Sequence, residues 1–116
     1  MTVAENELPV IQGWFGRVRR AGLVLPSGWF GRPHDNLHAL TWSAARKHKL
    51  LLELDEQLLL ILTEPGPVEI DESELRVTRC AQVTLDWQEY GNMAPRVFTE
   101  GWGTVRFVPP IGAARR

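Results

Sequence analysis

Leu50-Leu51-Leu52-Glu53-Leu54-Asp55-Glu56-Gln57-Leu58-Leu59-Leu60-Ile61-Leu62 reads either as a helix or as two strands, and the fold class turns on the choice. Leucine and glutamate favour helix, and positions 50, 54, 58, 61 and 62 would share one helical face. A helix, however, leaves Leu52 and Leu59 off that stripe. A hairpin closing through 55–57 pairs Leu50 with Leu62, Leu52 with Leu60 and Leu54 with Leu58 on one face. Lys49, Glu53 and Thr63 then fall on the other. We therefore read a hairpin, entered through the basic turn Arg46-Lys47-His48-Lys49.

The flanks carry strand patterns too. In Leu40-Thr41-Trp42-Ser43-Ala44 the larger apolar groups alternate with hydroxyls, as in a half-buried strand. Beyond the hairpin, Pro65-Gly66-Pro67 is a break in which Gly66 is placed to supply the positive φ of a type II turn. Val68 and Ile70 suggest a short strand, and Asp71-Glu72-Ser73-Glu74 a solvated turn. Next comes a long alternation: Leu75, Val77, Ala81, Val83, Leu85 and Trp87 share one parity, and Arg76, Thr78, Cys80, Gln82, Thr84, Asp86 and Gln88 the other. Arg79 is the polar intruder on the apolar side. The run exceeds the usual strand length, so a bend or bulge near Arg79 is expected, letting it serve two parts of a sandwich or barrel. Val97-Phe98 and Thr104–Val108 read as a last pair joined through Gly101-Trp102-Gly103, and Pro109-Pro110 stops the sheet. Upstream, Leu23-Val24-Leu25 is a short strand ended by Pro26-Ser27-Gly28. The expected fold is all-β, a single small antiparallel sandwich or open barrel of about seven strands over residues 10–110. Residues 1–9 are read as a flexible N-terminal arm and 111–116 as a basic C-terminal tail.

A length of 116 residues suits one core. No apolar run approaches the roughly 20 residues of a membrane span. The polar, acidic N-terminus lacks the pattern of a secretory signal. Cys80 is the sole cysteine, which removes intrachain disulfides and cysteine-based clusters. Cytoplasmic residence is the expectation. A net charge of −1 argues against general nucleic-acid binding, although local basic patches are compatible with it.

Five Trp against one Tyr is an unusual aromatic balance. Gly13-Trp14-Phe15-Gly16-Arg17 recurs unchanged as Gly28-Trp29-Phe30-Gly31-Arg32. Glycines bracketing two large rings suit a sharp bend that tucks the rings inward as anchors. The second copy opens a stretch running through Pro33, His34, Asp35, Asn36 and Leu37 to His38, dense in polar side chains and loop-like. His34, Asp35 and His38 are the candidate metal ligands, and the blander reading has Asp35 and Asn36 bonding nearby backbone. A second constellation, Asp86-Trp87-Gln88-Glu89-Tyr90-Gly91-Asn92, places two carboxylates and two aromatics at a strand end, where solvated acids are the blander reading. Trp29, Trp87, Tyr90 and Trp102 could make a stacking platform for a sugar or base, against which stands a role as buried anchors. Cys80, on the outward parity, has no base beside it and reads as an incidental thiol. P-loop, dinucleotide and Gly-x-Ser-x-Gly signatures are absent.

Gly28-Trp29-Phe30-Gly31-Arg32-Pro33, followed by Asp35-Asn36 and His38, resembles a segment of a family of small bacterial all-β proteins to which no activity is attached. The leucine hairpin and Asp86–Asn92 share in the resemblance more loosely. The residue usual at His34 is Tyr, which makes His34 a poor essential ligand and gives weight to Arg32, Asp35, Asn36 and His38 as a polar cluster.

These patterns point to a non-catalytic protein-interaction module, immunity-, antitoxin- or assembly-factor-like. It would bind a protein partner through rim loops bearing Trp29, Phe30, Arg32, Asp35, Asn36 and His38, and Asp86, Trp87, Glu89 and Tyr90. No catalytic residue and no cofactor are expected. The alternatives are a small metal-assisted enzyme using His34, Asp35 and His38, or a carbohydrate or small-ligand binder using exposed Trp. Exposed sheet edges also make a homodimer compatible with the sequence.

Overall fold

Lys49–Leu54 and Leu58–Thr63 form the hairpin, in the expected register: Leu50 faces Leu62, Leu52 faces Leu60 and Leu54 faces Leu58. All of these leucines have 0% exposure. Each contributes about 2 kcal/mol on burial, whereas helix propensities of ordinary residues differ by at most about 0.7 kcal/mol. Burial on one face therefore outweighs local preference. The hairpin closes through Asp55 (φ 56°) and Glu56 (φ 60°), with the Gln57 amide donating to the Leu54 carbonyl at 3.1 Å.

The computed structural model describes residues 2–32, 36–88, 92 and 94–110. Its elements are α1 (Val3–Val18), β1 (Ala21–Leu25), β2 (Gly28–Trp29), β3 (Leu37–His38), β4 (Leu40–Arg46), β5 (Lys49–Leu54), β6 (Leu58–Thr63), β7 (Val68–Ile70), β8 (Leu75–Cys80), β9 (Gln82–Trp87), β10 (Arg96–Glu100) and β11 (Gly103–Val108). One sheet has the order β2-β1-β11-β8-β7, with β3 also paired to β1, and the other the order β10-β9-β6-β5-β4. Every pairing is antiparallel. The chain is thus mostly β, as expected. It has more strands than about seven because the 75–87 run is divided between the two sheets and the two-residue strands β2 and β3 add to β1. The basic tail at 111–116 lies outside the described residues.

The alternation of 75–87 shows how a crossing works. β8 belongs to the first sheet and β9 to the second. Arg79 has φ 49°, and this left-handed residue resets the pleat: Leu75, Val77 and then Cys80 are buried, followed by Val83, Leu85 and Trp87. The bend foreseen near Arg79 is there. The parity assigned across it is corrected, because Cys80 points inward at 0% exposure and Ala81 outward. Burial pushes the Cys80 thiol up to about 12. Native protein at pH 8 is expected to react with a disulfide reagent at least about 100-fold more slowly than free cysteine, with the difference abolished in urea. Comparable rates before and after denaturation would contradict this placement.

Two other joints differ from expectation. Glu64, not Gly66, carries the positive φ (48°). Gly66 is required for closeness instead: its amide donates to the Thr78 carbonyl at 2.7 Å, and a Cβ would lie 2.6 Å from that oxygen. Nor do Val97-Phe98 and Thr104–Val108 pair with each other. β10 lies on β9, while β11 sits between β1 and β8, so Gly101-Trp102 carries the chain from one sheet to the other.

The N-terminal reading is the main correction. Residues 3–9, expected to form an arm, are the first turns of α1, and Gly13–Arg17, expected to bend, continues it. A capping box starts the helix: the Glu5 amide donates to Thr2 Oγ1 at 3.2 Å and the Thr2 amide to Glu5 Oε1 at 2.9 Å. Its apolar stripe, Ala4, Ile11, Trp14 and Phe15, is buried, and Phe15 meets Phe107 edge-on with centroids 5.1 Å apart. The helix closes the side of the sandwich between β4 and β7. Gln12 donates to Ser43 Oγ on β4 at 2.9 Å, and the β7 amide of Val68 donates to Glu7 Oε2 at 2.6 Å. Tertiary burial of Trp14 and Phe15 prevails over the local cost of Pro9 and of Gly13 and Gly16 within the helix.

Candidate functional site

β1 is buried along its whole length and holds β2 and β3 end to end along one side. The polar segment of the second Gly-Trp-Phe-Gly-Arg copy leaves from β2 and returns at β3. Its first anchor is Phe30, whose amide donates to the Leu23 carbonyl at 2.8 Å. The Phe30 ring packs against Trp87 (centroids 5.7 Å) and His38 (5.8 Å). Gly31 has φ 82°, and a Cβ there would collide with the Asn36 side chain, whose Nδ2 donates to the Phe30 carbonyl at 3.4 Å. Glycine is needed at 31 on both counts.

His38 is fully buried, and its Nδ1 lies 2.7 Å from Asp55 Oδ2. A carboxylate only accepts, so the proton in this bond sits on Nδ1. Asp55 Oδ1 accepts the Ala39 amide at 2.9 Å, and the Asp55 amide returns a bond to the Ala39 carbonyl at 2.9 Å. Asp55 therefore clamps the hairpin turn onto the point where the chain passes from the first sheet to the second. The left-handed conformation of residue 55, which costs an ordinary side chain about 1 kcal/mol, is held by these bonds. Trp87, 4% exposed, donates Nε1–H to the Ala94 carbonyl at 2.7 Å and so ties down the return from β9.

Of the residues singled out in the sequence, Phe30, Asn36, His38 and Trp87 are brought together at one rim of the sandwich. Asp86 is not: it occupies the opposite face of β9 from Trp87, between Leu59 and Val97. Trp29 pairs with Val24, its ring lying over Gly22, where a Cβ would stand 2.9 Å from Cζ3. Trp87 is too enclosed to offer a stacking face, while Trp102 is 74% exposed on the crossing before β11. Arg32 is exposed. His34, Asp35, Glu89 and Tyr90 lie outside the described residues. Asp55 is the member that sequence reasoning missed, since an acid in a tight turn needs no other explanation and its partner is distant in the chain.

Among the described residues, no three His, Cys, Asp or Glu side chains come together as a metal ion would require. His38 is held through Nδ1 by Asp55, and the other two members of the candidate metal set, His34 and Asp35, lie outside the described residues. Elsewhere, Glu74 accepts Arg106 at 3.0 Å and Arg76 at 3.2 Å, and the Arg76 guanidinium beside Asp71 holds that carboxyl well below the usual range. The basic turn between β4 and β5 lines a shallow cavity of about 400 Å³ with Thr63 and Glu64. No helix among the described residues is long and apolar enough to cross a membrane. Compared with protein-family models, curated proteins and solved structures, the chain shows no match.

Proposed function

We propose that this domain is a non-catalytic protein-interaction module, binding another protein through the rim that carries Trp29 to His38 and the segment after β9. The observation that supports it is the contact of Phe30 with Trp87, which brings together residues from the two candidate segments that are distant in sequence. An immunity-, antitoxin- or assembly-factor-like role fits this arrangement, and a lone buried thiol accords with cytoplasmic residence.

The test is capture of partners by the intact protein and by the Arg32→Ala/Asp35→Ala variant. At least one captured protein is expected to fall tenfold or more with the variant, at an unchanged melting temperature. Identical partner lists would remove this rim from the reading.

A further inference from the structure

The two sheets present edges of unequal character. β4 lies against α1 and carries a bulge between Leu40 and Trp42. β7 is three residues long, and Glu7 takes its Val68 amide. β2 and β3 are two residues each. β10, at the edge of the second sheet, is five residues long and exposed from Arg96 to Thr99, with Val97 at 63% and Phe98 at 39% exposure. It contains no proline or bulge and no charge in its centre, the devices by which edge strands avoid pairing. Among the described residues no acid is paired with Arg96.

The sequence of this edge complements itself. Laid antiparallel on a second copy about an axis at Phe98, Arg96-Val97-Phe98-Thr99-Glu100 sets Arg96 opposite Glu100, Val97 opposite Thr99 and Phe98 opposite Phe98. Each pair also falls on one face, because Arg96, Phe98 and Glu100 share the side of Trp87, Leu85 and Val83. Sliding the register by one pair in either direction loses both charge pairs. We propose that β10 is a self-association edge, by which two copies of this chain join their five-stranded sheets into one continuous sheet. This edge adjoins the rim, since Arg96 is in register with Trp87, but it uses different residues, and either assignment can fail without the other.

Only a short strand is covered, so a dissociation constant of about 10–100 µM is expected. Sedimentation velocity of the full chain from 1 to 500 µM should show a monomer–dimer equilibrium. Arg96→Glu and Glu100→Arg should each weaken it at least tenfold, and the double swap Arg96→Glu/Glu100→Arg should return it to within about threefold of the original. A second readout needs no variant: amide exchange at Val97–Thr99 should slow as protein concentration rises. A monomer throughout the range, a dimer indifferent to the single swaps, or a double swap without rescue overturns the proposal. So does β10 protection that appears only when a rim partner is added, which would assign the edge to that partner.

Discussion

Leu60→Ala is expected to lower the unfolding free energy by about 4 kcal/mol, the upper part of the range for a buried leucine. Leu60 lies on β6, the central strand of its sheet, in register with Leu52 on one side and Leu85 on the other. Leu60 and Leu52 are at 0% exposure and Leu85 at 1%. Strands hydrogen-bonded on both sides cannot move in to fill the space, so the cavity persists. Domains of this size are stable by only about 5–15 kcal/mol, and the loss is a large share of that. Urea denaturation should show a lower midpoint with an unchanged slope. Leu59→Ala, on the half-buried outer face, should lose less than half as much. Equal losses at 59 and 60 would contradict the burial pattern of β6.

Asp55→Ala should lose about 2–4 kcal/mol, because it strands two donors at once. One is the Nδ1–H of His38, which has no access to water, and the other is the Ala39 amide. Asp55→Asn should lose less: its amide oxygen still accepts one bond and asparagine tolerates the left-handed backbone. Because the His38 ring touches Phe30, and Phe30 touches Trp87, Trp87 emission should change with the alanine variant. The observation that would refute the clamp is an Asp55→Ala protein with native stability and an unchanged imidazole N–H resonance.

The leucine hairpin was legible because every relevant side chain reports the same parity, and a one-residue slip would expose all of them. The bend at Arg79 was legible as the one charge on an apolar face. Its effect on Cys80 was not, since a left-handed residue rotates the pleat without leaving a mark on the residues after it. In the candidate site, Phe30 and Trp87, both singled out in the sequence, are in contact. The clamp by Asp55 was not legible, as it depends on a contact between strands of different sheets.

Local sequence alone determined the leucine register, the breaks at Pro65–Pro67 and Pro109, and the mostly β character, because period-two burial is written in neighbouring residues. The repeated Gly-Trp-Phe-Gly-Arg shows where that ends. At 13–17 it lies within a helix, and at 28–32 it spans a two-residue strand and a turn with Gly31 left-handed. Identical pentapeptides have identical intrinsic preferences, so the difference comes from what each meets: Phe107 and the open side of the sandwich for Phe15, and Trp87 with His38 for Phe30. Tertiary burial, about 2 kcal/mol or more per large ring, exceeds the fractions of a kilocalorie by which short sequences favour one conformation over another.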